Sequence, residues 1–199
     1  MADDAYIVEK DDGRIGHMGR TDEALVADLY RTEGKAEIVN GRLVHMSAAG
    51  GFHGYAAGLI YASLLDYARS TKGGIAFPDN VGFIVDLPHR RSFSPDAAFW
   101  TGGPLTRKFP EGAPVFAVEV RSPEDYGAAA ERRMADKRTD YFAAGTQVVW
   151  DVDLEAGVVH AHQADDPRHP VSYRRGEQAA AEPALRGWSM PVDDLFPPS

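Results

Sequence analysis

Residues 115–121 (VFAVEVR) constrain the fold more than any other part of the sequence. The run is apolar except for Glu119 and the terminal Arg121, a composition typical of a strand buried at the centre of a sheet. Residues 126–144 then carry a helical pattern, and residues 147–152 are predicted to form another strand. This alternation of strand, helix and strand predicts an α/β protein.

The segment before this strand contains clear caps and turns. Thr21 and Asp22 can cap a helix that ends near Gly34. The dipeptide Asn40-Gly41 tolerates the positive φ angles of a type I′ turn and predicts a hairpin. The remaining predicted elements are a second helix at 53–70 and strands at 75–77, 81–87, 93–100 and 158–162. The segment after residue 162 is polar and interrupted by prolines, and no strand is assigned to it.

Length and composition predict one globular domain. The chain has 199 residues, of which 44% are hydrophobic and 26% are charged. Residues 1–18 lack a periodic pattern and are predicted to form a loose leader, and residues 19–199 are predicted to form the domain. No apolar stretch is long enough to cross a bilayer, and the acidic N-terminus does not resemble a signal peptide. A cytoplasmic location without a membrane partner is therefore expected.

Several common sites are excluded by the sequence. The chain has no cysteine, which rules out disulfides, thiolate zinc sites and cysteine nucleophiles. The phosphate-binding GxxxxGK[ST] loop, the HExxH helix and the GxSxG turn are also missing. The net charge of −9 argues against tight nonspecific binding of nucleic acid, although it allows a local basic groove.

Two carboxylates interrupt segments that are otherwise suited to burial. Asp96 lies within FSPDAAFW, and Glu119 lies within VFAVEV. A buried ionised carboxylate needs an ion partner, a hydrogen-bond network or a metal ion. A divalent cation shared by both residues is one solution, because magnesium binds through one or two carboxylates together with water and phosphate. In the alternative interpretation, Asp96 is a turn residue and Glu119 pairs with Arg121.

Other candidate residues lie on the helices and on the first hairpin. Lys137 lies beside an apolar stripe of the helix at 126–144, but Arg138 lies nearer its centre, so periodicity does not choose between them. Alternation along the hairpin favours a solvent-facing Glu37. His53 follows a glycine-rich loop, and a histidine at a helix start is more often a surface residue.

Four segments together resemble a known family. They are AEIVNGRLVHMSAAGGFHG, SPDAAFW, VFAVEVRSPED and KRTDYFAAGTQVVWDVD. In this order they resemble the Uma-two family of restriction-endonuclease-like proteins, formerly a domain of unknown function, within the PD-(D/E)xK nuclease superfamily. The resemblance extends from about Glu23 to Phe196. It implies a restriction-endonuclease-like α/β fold, in which helices flank a mixed central sheet and an N-terminal helix and β-hairpin precede it.

The resemblance also implies site residues. The early strand glutamate of the family corresponds to Glu37, its helix-start histidine to His53, its PD aspartate to Asp96 and its next acidic residue to Glu119. The superfamily lysine normally stands two residues after that glutamate, where this chain has Arg121. A lysine on the next helix, here Lys137, looks like its replacement. Arg121 remains a candidate for contact with a phosphate.

The implied activity is metal-dependent hydrolysis of nucleic-acid phosphodiester bonds, with DNA favoured over RNA as the substrate. Asp96, Glu119 and the backbone carbonyl of Val120 would bind Mg²⁺ or Mn²⁺. Nucleases that cut both strands often act as pairs, which leaves a homodimer open. Two alternatives use the same scaffold: a catalytically silent binding or assembly module, and a hydrolase of another substrate.

Overall fold

The computed structural model describes residues 21–198, so the predicted leader at 1–18 and the first residues of the predicted domain lie outside the described part. The described α-helices are α1 (Asp22–Leu29), α2 (Gly51–Thr71) and α3 (Ala128–Ala143), and a short 3-10 helix spans Val192–Leu195. The strands are β1 (Ala36–Val39), β2 (Arg42–His45), β3 (Ile75–Phe77), β4 (Phe83–Ile84), β5 (Ser92–Phe93), β6 (Ala97–Trp100), β7 (Phe116–Val120), β8 (Val148–Asp153), β9 (Val158–Gln163), β10 (Asp166–Arg174), β11 (Gln178–Ala180) and β12 (Ser189–Pro191).

A six-stranded mixed sheet forms the centre of the fold, with the strand order β10-β9-β8-β7-β6-β3. Strands β7 and β8 are parallel, whereas the other neighbouring strands of this sheet are antiparallel. Parallel neighbours need a long crossover connection, and α3 lies in the connection between β7 and β8. The predicted α/β order is confirmed here.

The two faces of β7 bury different side chains. Phe116, Val118 and Val120 pack in the main core, which also contains apolar residues of α2. Ala117 packs on the other face with Tyr141 of α3. Successive side chains of a strand alternate between its faces, so Glu119 lies on the same face as Ala117, the face that α3 covers.

The N-terminal helix and hairpin form a separate layer beside the sheet. Thr21 caps α1 by accepting a hydrogen bond from the Ala24 N–H at 3.3 Å, as its position predicts. Asn40 and Gly41 have φ angles of 50° and 67°, which confirms the predicted turn. Strand β1 packs beside β5, where the Ile38 N–H donates to Ser92 Oγ at 2.8 Å. These contacts position β1, the strand that carries Glu37.

The prediction of one continuous strand at 93–100 is wrong. The structure has two strands there, β5 and β6, and residues 94–96 connect them. Pro95 cannot donate a hydrogen bond to a ladder, and the break allows the chain to leave the β4–β5 pair and enter the central sheet. Asp96 therefore precedes a strand instead of interrupting one. The strand predicted at 81–87 is likewise shortened to β4.

The segment after residue 162 contains more structure than its composition indicates. Strand β10 forms one edge of the central sheet, and its register with β9 shifts between Asp166 and Val171. Pro167 and Pro170 fall within this irregular stretch, and an edge strand tolerates proline because one side of it needs no ladder partner. Strands β11 and β12 were also not predicted. No helix among residues 21–198 is long and apolar enough to cross a membrane.

Candidate active site

A cavity of about 980 Å³ lies between the hairpin, the start of α2, the end of β7 and α3. Every site residue predicted from the sequence lines it: Glu37, His53, Asp96, Glu119, Val120, Arg121 and Lys137. These residues come from distant parts of the chain, and no local sequence pattern requires them to meet. Their convergence makes this cavity the candidate site.

Lys137 joins two of the acidic residues. Its Nζ lies 2.8 Å from Glu119 Oε2 and 2.9 Å from Glu37 Oε1. The hydroxyl of Tyr141, one helical turn further along α3, donates a hydrogen bond to Glu119 Oε1 at 2.7 Å. Arg138 instead contacts Asp151 Oδ2 at 3.1 Å. The structure thus distinguishes the two neighbouring cations, and Lys137 is the one that meets Glu37 and Glu119.

The pKa values of Glu119 and Lys137 are both raised, but for different reasons. Burial raises the pKa of Glu119; Lys137 opposes this effect, whereas the nearby Asp96 and Glu37 carboxylates add to it, and the pKa is raised overall. Burial would lower the pKa of Lys137, but Glu119 and Glu37 outweigh it and the pKa is raised. Lys137 therefore stays an ammonium ion and acts as a fixed positive charge rather than as a base.

Asp96 is buried at the edge of the same cavity, with 3% of its surface exposed. Its Oδ2 accepts a hydrogen bond from the Val120 N–H at 2.7 Å. Its Oδ1 contacts the ammonium of Lys35 and lies 3.2 Å from His53 Nε2. Burial alone would raise the pKa of Asp96, but His53 and Lys35 lower it. The alternative interpretation of Asp96 as an ordinary turn residue does not explain this environment.

His53 is directed into the site and is not a surface residue, since its side chain is only 14% exposed. Its Nε2 lies 3.2 Å from Asp96 Oδ1, whereas its Nδ1 is buried and has no hydrogen-bond partner among the described residues. The neighbouring Asp96 carboxylate raises the pKa of His53, although burial opposes this shift. The imidazole is thus held against Asp96 at the wall of the cavity.

The expectation that Glu37 faces solvent is wrong. Only 5% of the residue is exposed, because both faces of β1 are covered. Ala36 and Ile38 pack against Leu25 and Leu29 of α1, while Glu37 points towards the cavity. Alternation along a strand shows which residues share a face, but not what covers that face.

Arg90 is the main partner of Glu37. Its Nη1 lies 2.5 Å from Glu37 Oε2, and its Nε lies 2.7 Å from Asp140 Oδ2. The Ser94 N–H also donates to Glu37 Oε1 at 2.9 Å. Burial by itself raises the pKa of Glu37, but Lys137 and Arg90 lower it. Glu37 is therefore held ionised between two cations.

Arg121 forms a different cluster at the rim of the cavity. Its guanidinium contacts both carboxylate oxygens of Asp151, at 2.7 and 2.9 Å, and also contacts Glu131 at 2.6 Å. The alternative in which Arg121 neutralises Glu119 is therefore wrong. Arg121 directly follows β7, two residues after Glu119, and it meets Asp151 of the parallel neighbour β8.

The sequence matches the Uma2 family, which is described as "Putative restriction endonuclease", over residues 23–193. The chain belongs to this family. The resemblance seen in its four sequence segments is thereby confirmed. No sequence among the curated proteins matches this chain.

A solved structure shares the fold of this Uma2 protein. It is the crystal structure of a chain described as "a putative nuclease belonging to DUF820" from Anabaena variabilis ATCC 29413, and the TM-score is 0.68. The two sequences are 14% identical, and the match covers 86% of this chain and 96% of the other. The predicted fold, a mixed sheet flanked by helices, is confirmed by this likeness.

Several residues of the Uma2 site were missed from the sequence. They are Lys35, Asp79, Arg90, Asp140 and Tyr141. Tyr141 had a usable signal, because it lies four residues after Lys137 on the same helix face. The sequence contains no comparable signal for Arg90 or Lys35. Each is an ordinary charged residue beside a short strand, and its partner is distant along the chain.

The donor set of the site fits some metal ions better than others. Residues 21–198 contain no group of three or more histidine, aspartate and glutamate side chains arranged to hold an ion. A structural zinc site or a protein-caged calcium site is thus a poor fit. Two carboxylates, Asp96 and Glu119, and the carbonyl of Val120 are the donors that a largely hydrated Mg²⁺ or Mn²⁺ uses. The carboxylate repulsion that raises the pKa of Glu119 also favours a bound cation.

Proposed function

We propose that this Uma2 protein is a metal-dependent endonuclease that hydrolyses phosphodiester bonds, with DNA as the preferred nucleic acid. The observation that carries the proposal is the meeting of Glu37, Asp96, Glu119 and Lys137 in one cavity. Buried or partly buried acidic residues beside a partly buried lysine, with shifted pKa values, are characteristic of catalytic sites. The membership in a family of restriction-endonuclease-like proteins supports the class of reaction, and DNA is the usual substrate of that class.

The acidic residues have distinct proposed roles. Asp96, Glu119 and the Val120 carbonyl would bind Mg²⁺ or Mn²⁺. When bound, such an ion acidifies a water molecule and neutralises charge on the scissile phosphate. Glu37 would not need to contact the ion, because its oxygens already accept bonds from Arg90, Ser94 and Lys137. Its role is to fix the direction of Lys137.

Lys137 would contribute a permanent positive charge close to the reacting atoms. Its raised pKa keeps it protonated, so it can donate a hydrogen bond to the attacking water or to a phosphate oxygen but cannot accept a proton. Glu37 and Glu119 hold its ammonium from two sides, which limits its motion. His53 lines the cavity beside Asp96, and an accessory contact with a phosphate oxygen or an ordered water is its proposed role.

The decisive test is cleavage by an Asp96→Asn variant. Purified protein is incubated with supercoiled and linear DNA and with RNA, with Mn²⁺ or with a chelator. Wild-type protein should nick DNA only with the metal, and Asp96→Asn should be slower by at least about 10²-fold, the scale on which loss of one catalytic electrostatic contact acts. Asp66→Asn on α2, whose side chain is 81% exposed, is the matched control and should cut like wild type. Equal cutting by Asp96→Asn contradicts the proposal.

A binding or assembly module on the same scaffold is the second candidate. It is favoured by the net charge of −9 and by the pairing of the Asp96 and Glu119 oxygens with groups of the protein itself. The same assay separates the two candidates. A folded wild-type protein that retains DNA in a gel shift but never cuts it, with either metal, supports the module.

A further inference from the structure

The ammonium of Lys35 contacts one of the two carboxylate oxygens of Asp96, a residue that lines the cavity. Lys35 immediately precedes β1, and its Nζ contacts Asp96 Oδ1 and lies 2.7 Å from Asp79 Oδ1. The other Asp96 oxygen, Oδ2, is taken by the Val120 N–H at 2.7 Å. A metal ion that binds Asp96 through Oδ1 would therefore compete with Lys35 for the same atom.

We propose that Lys35 is an exchangeable counter-ion of the metal site, which contacts Asp96 in the metal-free protein and transfers to Asp79 when Mg²⁺ or Mn²⁺ binds. This inference rests on the proposed metal-dependent function, since it concerns the same Asp96. It assigns Lys35 and Asp79 a role in metal binding that the reaction itself does not require.

Burial explains why Asp96 needs a cation at all times. Its side chain is 4% exposed, and an unpaired buried carboxylate is strongly destabilising. Lys35 supplies the positive charge as long as no ion is bound, and its own side chain is 14% exposed. A bound ion would take over this role, and the charge of Lys35 would then be surplus beside it.

Asp79 provides a second position for the same ammonium. The Asp79 side chain is 37% exposed, so its ionised form remains partly hydrated with or without Lys35. Lys35 Nζ already contacts both carboxylates, and the flexible lysine stem allows it to leave one without losing the other. The transfer therefore needs no movement of the backbone.

The other cations of the site cannot replace Lys35 in this exchange. Lys137 contacts Glu37 and Glu119, and Arg90 contacts Glu37 and Asp140. His53 Nε2 lies 3.2 Å from the same Asp96 Oδ1, but its ring is rigid and its position on α2 fixes it there. Lys35 is thus the mobile positive group next to the proposed metal position.

The first test is direct titration with Mn²⁺ by calorimetry, without nucleic acid and at constant pH. Lys35→Gln should bind Mn²⁺ more tightly than wild type, on the order of tenfold, because both competition and repulsion are removed. Lys108→Gln, an exposed lysine away from the carboxylates, is the control and should match wild type. In a thermal melt, Mn²⁺ should stabilise Lys35→Gln more than wild type, because the variant leaves Asp96 without its lysine until the ion binds.

The second test is a double-variant cycle that isolates the exchange. Asp79→Asn should weaken Mn²⁺ binding, because Lys35 loses its second position and stays on Asp96. In the Lys35→Gln background the same Asp79→Asn change should weaken binding much less, since only the general loss of negative charge remains. Equal effects in the two backgrounds would overturn the proposal.

The outcomes separate this inference from the proposed function. If wild type binds Mn²⁺ and Lys35→Gln binds it equally or more weakly, the exchange is refuted and the nuclease proposal stands. If neither protein binds Mn²⁺, both proposals fail. If only Lys35→Gln binds Mn²⁺, the competition is supported and the wild-type protein is not a metal-dependent enzyme. Should Lys35→Gln not fold, weaker Mn²⁺ binding by Asp79→Asn than by the exposed control Asp86→Asn supports the exchange, and equal binding refutes it.

Discussion

Glu119 shows how one residue carries the conflict between stability and activity in this site. Its side chain is 24% exposed and lies near two other carboxylates, Asp96 and Glu37, and its pKa is raised. Lys137 and Tyr141 both donate hydrogen bonds to it, yet these contacts do not fully offset burial and repulsion. A fold with no function at this position would gain from an apolar or neutral side chain there. A charge at such a position is consistent with the ligand-binding role proposed for Glu119.

This conflict predicts a pH-dependent difference between wild type and Glu119→Gln in the absence of metal. Because the pKa of Glu119 is higher in the folded than in the unfolded chain, the folded state binds more protons between these two values. The free energy of unfolding of wild type, relative to Glu119→Gln, should therefore fall as the pH rises through that window, by up to about 1.4 kcal/mol per pH unit.

Urea unfolding with chelator at a series of pH values measures this difference. Glu33→Gln, at an exposed position, controls for the loss of one carboxylate. A wild-type stability that rises relative to Glu119→Gln over the same window would show that Glu119 is stabilised as the anion. The account of the site given above would then be wrong for this residue.

At the scale of elements, the hairpin is attached to the site by a buried arginine. Arg90 lies between β4 and β5, and it pairs with Glu37 of β1 and Asp140 of α3. Its guanidinium also lies over the Phe93 ring, 4.9 Å from the centroid, and that ring stacks on Tyr141. One side chain thus connects the hairpin layer with the helix that carries Lys137.

The neighbouring arginines Arg90 and Arg91 provide a matched test of this connection. Arg90→Met should lower the free energy of unfolding by about 3–5 kcal/mol, because it removes the arginine that pairs with two buried carboxylates, Glu37 and Asp140. Arg91→Met should cost no more than about 1 kcal/mol, since its partners Asp22 and Asp86 are exposed. Urea unfolding of both variants measures the difference. Similar losses in the two variants would contradict the structural role of Arg90.

The whole molecule is acidic, and most of the cationic side chains that line its cavity are paired with its own carboxylates. Among residues 21–198, six lysine and arginine side chains line the cavity, and five of them form ion pairs: Lys35, Arg90, Arg121, Lys137 and Arg138. Arg133 is the sixth, and it is exposed. Such a cavity has few cations available to replace the counterions of DNA. Under the proposed function, DNA binding should therefore depend strongly on the metal ion.

Salt dependence tests this property. With Ca²⁺ in place of the catalytic ion, the logarithm of the DNA-binding constant should fall with the logarithm of salt concentration at a slope of roughly −3 or shallower, which corresponds to about three neutralised phosphates. Fluorescence anisotropy measures the slope. Arg133→Gln should reduce its magnitude by about 1 if Arg133 contacts a phosphate. A slope of about −6 or steeper would require a basic surface that this cavity does not provide.

The sequence by itself determined the local features of this protein. The Asn40-Gly41 turn, the cap at Thr21 and the buried strand around Glu119 follow from short-range backbone preferences and from apolar composition. The two carboxylates within apolar segments were visible for the same reason, because their desolvation cost is evident from their neighbours in the chain. The sequence pattern did not predict the break at Pro95 or the edge strand β10, because the pairing of these segments depends on the rest of the sheet.

Only the tertiary structure decided which charges meet. Lys137 and Arg138 are adjacent in the helix, and the direction of each depends on how α3 packs on β7 and β8. Glu37 is buried because Arg90, 53 residues away, reaches it, and Lys35 meets Asp96 across 61 residues. Such contacts depend on long-range packing and not on local conformation. The energy of a buried charge is therefore set by groups that the neighbouring sequence does not contain.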